Sequence, residues 1–60
     1  MRKQDSEAWK LAQRIARRKY SCRVPVALSD DGLTVTMQST IRGNTWKCSL
    51  EHLRLVAMRR

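Results

Sequence analysis

Side chains of a type and spacing to do chemistry are few in this sequence. Cys22, Cys48 and His52 are its only thiols and its only imidazole. Cys48-x3-His52 is a spacing compatible with metal ligation, and Cys22 would be a further donor. A structural zinc site is closed by Cys and His ligands that usually come in close pairs, and no second pair exists. The plainer reading is two core cysteines and a histidine at the surface or the core boundary. An acid or base needs a nucleophile or carboxylate partner within reach. Glu51 is adjacent to His52 in sequence and points elsewhere on a helix. Asp30 and Asp31, followed by Gly32, have the character of turn formers. There are no paired carboxylates, no glycine-rich phosphate loop and no Ser/His/Asp set. The expectation is a non-catalytic chain with no metal and no cofactor.

The plentiful functional groups are cations. Thirteen Lys and Arg stand against five Asp and Glu, a formal net charge of +8, and the pI is near 10.9. Lys10, Arg14, Arg17 and Arg18 recur at i, i+4, i+7 and i+8, which gathers them on one side of a helix. Such a density of cations suits a polyanion, because neutralised phosphates release condensed counterions. Thr, Ser and Gln side chains can add hydrogen bonds to phosphate oxygens or base edges. The bland alternative is a solvated basic face that only keeps a small protein soluble. So high a pI tilts the balance toward nucleic acid.

Composition excludes other classes. A chain that is 42% hydrophobic and regularly patterned is not a disordered basic tail. No run of about 18 apolar residues is present to span a membrane. Arg2 and Lys3 could open a signal peptide, but no apolar stretch follows them. Two cysteines do not make a disulfide scaffold, which points to free thiols in a reducing cytoplasm. Sixty residues accommodate one small domain, residues 1–60. At that size only about 60% of the unfolded surface is buried, and a deep catalytic cleft is not expected.

These groups need elements to position them. Residues 5–20 read as a helix. Asp5 or Ser6 caps it, Glu7 suits its dipole, and Ala8, Leu11, Ala12, Ile15 and Ala16 form its apolar stripe. From Cys22 the period becomes two. Cys22, Val24, Val26 and Leu28 alternate with Arg23, Pro25, Ala27 and Ser29. Ser29-Asp30-Asp31-Gly32 signals a hairpin with Asp31-Gly32 at its tip. Leu33, Val35, Met37, Ser39 and Ile41 then alternate with Thr34, Thr36, Gln38, Thr40 and Arg42. Gly43-Asn44 is a second two-residue turn, and Thr45–Cys48 is a short third strand. Ser49 caps a last helix with Leu50, Leu53, Val56 and Ala57 on one side and Arg59 and Arg60 at its negative end. The fold class is α+β, in the order α-β-β-β-α. A three-stranded antiparallel meander sheet carries two helices on one face.

Register arithmetic defines the expected inner face. A turn at Asp31-Gly32 pairs Leu28 with Val35 and Val26 with Met37. A turn at Gly43-Asn44 pairs Ile41 with Trp46. All of these are apolar, so inward meets inward. Pro25 is tolerated because its strand is an edge. Cys22 and Cys48 fall on the two edge strands, too far apart for a disulfide, as buried thiols. The outer face carries Arg23, Thr34, Thr36, Gln38, Thr40, Arg42, Thr45 and Lys47 and no acid. Arg23 opposes Thr40, and Thr40 opposes Lys47, so Arg23, Arg42 and Lys47 form a basic corner. The end of the first helix, Arg17 to Lys19, runs into that corner, with Asp30 and Asp31 at the far end.

In topology alone this order is similar to that of double-stranded RNA-binding domains. Those domains carry a Gly-Pro-x-His segment in the first hairpin and a lysine-rich start to the last helix. This chain has Ser29-Asp30-Asp31-Gly32 and Ser49-Leu50-Glu51-His52 there, so no residue role is carried over. The residues themselves point to a domain that binds DNA or RNA. Lys10, Arg14, Arg17, Arg18, Arg23, Arg42 and Lys47 would contact phosphates, and Thr36, Gln38 and Thr40 would lie near base edges. The alternative is a small protein-binding inhibitor or adaptor of the kind phages and plasmids encode, or a structural component of a particle, docking on an acidic protein surface. The third strand, as an open edge, also offers pairing with a second copy.

Overall fold

The fold is that of a computed structural model, described for residues 2–59; Met1 and Arg60, the latter expected at the end of the last helix, lie outside the described residues. A short 3-10 turn at Lys3–Asp5 precedes helix α1 (Glu7–Ala16). Strands β1 (Arg23–Leu28), β2 (Thr34–Ser39) and β3 (Thr45–Ser49) follow, then helix α2 (Leu50–Met58). The sheet is three-stranded and antiparallel in the order β1-β2-β3, with both helices on one face. The order is the α-β-β-β-α of the sequence reading. Each helix starts at a serine. Ser6 Oγ accepts the N–H of Trp9 and Ser49 Oγ that of His52, both at 3.3 Å, which satisfies a donor that the first turn leaves free. Ala8, Ala12 and Ile15 of α1 meet Val35 and Met37 of β2, Cys48 of β3 and Leu53 of α2 in the core. Ala8 and Ala12 have no side-chain bulk, so α1 lies close on the sheet. Trp9 and Trp46 are half-buried against this cluster.

The first helix is shorter than expected. Residues 5–20 read as helical, but α1 ends at Ala16. Beyond it the chain tightens, with Arg18 N–H on the Ile15 carbonyl and Ser21 N–H on the Arg18 carbonyl. No apolar residue between Arg17 and Lys19 could hold a further turn against the sheet, and the chain must reverse into β1.

The first hairpin keeps its register near the turn and changes it further along. Leu28 opposes Val35 as expected, but Pro25 rather than Val26 opposes Met37, because Val26 is the extra residue of a β-bulge. The cause is the missing N–H of proline. Ser29 N–H bonds the Thr34 carbonyl at 2.9 Å. Continued without a break, that ladder would place Pro25 where it must donate to β2. The bulge moves the ladder by one residue, and the Cys22 carbonyl then accepts from Thr40 N–H at 2.8 Å. Pro25 becomes half-buried on the helix side, while Val24 and Val26 become exposed. Cys22, expected to be buried, is exposed. Cys48 is buried, and both thiols are free.

The second hairpin is displaced as a whole. Trp46 opposes Met37 rather than Ile41, Lys47 opposes Thr36 rather than Thr40, and Cys48 opposes Val35 rather than Ser39. The chain turns early because Ser39 organises it. Its Oγ accepts the N–H groups of Ile41 and Arg42, its carbonyl accepts Gly43 N–H, and its own N–H reaches the Asn44 carbonyl. Gly43 has φ of 78°, a left-handed conformation that glycine adopts without strain. Ile41 leaves the sheet and is 79% exposed. The displacement preserves parity, so Val35, Met37, Trp46 and Cys48 keep the inner face.

Candidate functional site

Two long-range hydrogen bonds decide where the charge collects. Ser6 Oγ donates to the carbonyl of Gly32 at 3.2 Å, which fastens the start of α1 to the β1–β2 turn. Leu50 N–H donates to the Leu33 carbonyl at 2.8 Å, which fastens the start of α2 to the same turn. Asp5 and Glu7, Asp30 and Asp31, and Glu51 are therefore gathered at one end. They are all five acidic residues of the chain. The helices run in the same sense, so both of their C-termini lie at the other end.

That second end is basic. Arg14 is in the last turn of α1, and Arg17, Arg18 and Lys19 follow it. Arg23 begins β1. The bond from Thr40 to Cys22 brings the β2–β3 loop, with Arg42, alongside. Arg59 arrives from α2. An open cleft of about 530 Å³ lies between Arg14, Arg18, Ala57 and Arg59. A second, of about 380 Å³, runs along α1 past Lys10, Leu11, Gln13, Arg14 and Arg17.

The expected site residues fare differently. Lys10, Arg14 and Arg17 share the solvent side of α1, opposite its buried Ala8, Ala12 and Ile15. Arg18 is engaged within the protein. Its Nη2 stands 3.1 Å from the carbonyls of Val56, Ala57 and Arg59. It thus caps α2, where a cation also suits the negative end of the dipole. The basic corner of Arg23, Arg42 and Lys47 does not form in the expected register. Arg23 opposes Ser39 instead of Thr40. The bulge gives it the parity of Pro25, so it joins the end of α1 on the helix side. Arg42 is on the loop at the basic end. Lys47 lies mid-sheet on the bare face, opposite Thr36. Gln38 donates its side-chain amide to the Gly43 carbonyl at 3.0 Å and steadies the loop. Thr40 is exposed where that loop begins.

Arg59 and Tyr20 are the residues that sequence reasoning did not place here. Arg59 reaches the cluster only because the helices are parallel. Tyr20 borders the apolar stripe in the sequence pattern, yet it is 88% exposed, because α1 ends before reaching it. Among the described residues the single ion pair joins Arg54 Nε to Glu7 Oε2 at 2.6 Å. The hydrogen bond and charge of Arg54 hold the Glu7 carboxyl below the usual range, and Glu7 in turn raises Arg54. Among the described residues the arginines of the basic end thus have no carboxylate partner.

Among the described residues no group of three His, Cys, Asp or Glu side chains stands together as a metal site, and no helix is long and apolar enough to cross a membrane. No protein-family model, curated protein or solved structure matches the chain.

Proposed function

We propose that this protein is a non-catalytic nucleic-acid-binding domain that grips phosphates with its basic end. The observation that carries the reading is the segregation of charge. All five acidic side chains lie at one end, and Arg14, Arg17, Lys19, Arg23, Arg42 and Arg59 crowd the other with no Asp or Glu among them. Solubility alone is served by cations dispersed among anions. A single-sign end costs self-repulsion, which a polyanion relieves as it releases counterions. Lys10, Arg14 and Arg17 line the groove on α1 and contact successive phosphates. Arg23, Arg42 and Arg59 widen the contact, and Thr40 adds a hydroxyl donor. Arg18 holds α2 in place, Gln38 steadies the loop that carries Arg42, and Lys47 stands apart on the bare sheet face. Two free thiols suit a reducing compartment such as the cytoplasm.

The test is equilibrium binding to duplex DNA, duplex RNA and single strands over a salt series. Affinity should fall linearly in log–log form, with a slope near −0.9 per duplex phosphate neutralised. Failure of every polymer to bind at low salt would sink the reading.

One observation favours a second reading. The sheet face away from the helices is bare, with Val24 and Val26 exposed on it beside Ala27 and Lys47. The outer edge of β3 is unpaired. That surface suits an acidic protein partner or a second copy of the chain. A stoichiometric protein that co-purifies after nuclease treatment supports this reading over the first.

A further inference from the structure

We infer that the basic end holds one unpaired nucleobase against Tyr20, so that the polymer it prefers is single-stranded. The inference rests on the phosphate-binding reading above and names the form of nucleic acid. Tyr20 is 88% exposed, while Ile15 beside it belongs to the core. Its ring borders an open cleft of about 300 Å³, whose lining includes Ile15, Arg18, Lys19, Cys22 and Arg23. The floor is apolar and the rim is cationic. That volume is at the lower end of ligand-sized clefts and suits one flat heterocycle with its phosphates at the rim. Lys19 Nζ lies 5.4 Å from the ring centroid, so a cation already rests on the aromatic face, as cations do.

The platform is also held in place. Ser21 N–H bonds the Arg18 carbonyl at 3.0 Å, and Thr40 N–H bonds the Cys22 carbonyl at 2.8 Å. These bonds tie the chain on both sides of Tyr20. A duplex covers its base faces by internal stacking and leaves only its edges and backbone to a protein. An unpaired base offers the face itself. Aromatic stacking beside a cationic track is the means by which single strands are bound without sequence preference.

The experiment compares a short fluorescent oligothymidylate with a duplex of equal length at low salt. Tyr20→Ala should weaken oligothymidylate binding on the order of tenfold, the effect of one base–aromatic stack. It should leave duplex binding and the salt slope unchanged, since no charge is removed, and Tyr20→Phe should bind as wild type does. In a second readout, maleimide labels the exposed Cys22 and spares the buried Cys48, and bound oligothymidylate slows that labelling more than duplex does. Undiminished oligothymidylate binding by Tyr20→Ala overturns the stacking site and leaves phosphate binding standing. Binding of neither polymer by the wild type overturns both.

Discussion

Asp31 shapes the first hairpin through its carboxylate. Ser29 donates its hydroxyl to Oδ1 at 2.6 Å, and Leu33 donates its N–H at 3.0 Å. These donors hold the Asp31 carboxyl below its ordinary 3.8, as the hydrogen bond from Arg54 holds Glu7 below 4.5. A carboxyl whose folded pKa is lowered binds its proton more weakly in the folded state than in the unfolded one. Its contribution to stability is complete above the unfolded value and is lost as pH falls through the lowered one. The protein should therefore weaken below the ordinary carboxylate range. Asp31→Asn combined with Glu7→Gln should be less stable than wild type at neutral pH and converge with it in acid. Urea denaturation at a series of pH values measures this, and parallel curves would contradict it. The turn-forming character of Asp30-Asp31-Gly32 was legible because it depends on adjacent residues. The bond from Ser6 to Gly32, 26 positions away, was not, although the capping role of Ser6 was.

Between elements, the coupling of α1 to α2 falls on Arg18. It leaves the end of α1 and places one nitrogen 3.1 Å from each of three carbonyls at the end of α2. A cation at an exposed helix C-terminus contributes about 0.3–1 kcal/mol. Arg18→Ala should lose about that much and lower the thermal midpoint by a few degrees, a visible change in so small a domain. Arg18→Lys should recover only part, because lysine keeps the charge but its side chain is one bond shorter than the path to Nη2. A midpoint unchanged in Arg18→Ala would show that the cap contributes nothing. The strands show the same limit on what pattern reveals. Alternation identified β1, β2 and β3 and the inner side of β2 and β3. It could not reveal the bulge at Val26, because alternation runs on unbroken through Pro25 while the missing N–H shifts the ladder.

In the molecule as a whole, charge follows the helices. Glu7 and Glu51 sit in the first turns, where the dipole is positive, and Arg14, Arg17 and Arg59 lie in or just beyond the last turns. Two helices running in the same sense add these preferences instead of cancelling them. If binding uses the basic end, Arg14→Ala and Arg17→Ala should each weaken every nucleic acid alike and reduce the salt slope by about one per contact. Lys47→Ala, in the middle of the bare sheet face, should leave both unchanged. The opposite pattern would move the interface to the sheet. The sequence by itself determined the types and order of the elements, the inner residues near the first turn, and the bias of acids toward helix starts and bases toward helix ends. All of these depend on neighbours a few residues apart. Only the tertiary structure decided that Arg23 sides with α1, that Cys22 and Ile41 face solvent, and that all five acids share one end. Those outcomes depend on an absent donor at Pro25, on the early turn built by Ser39, and on the bonds from Ser6 to Gly32 and from Leu50 to Leu33, which join parts of the chain that no local pattern relates.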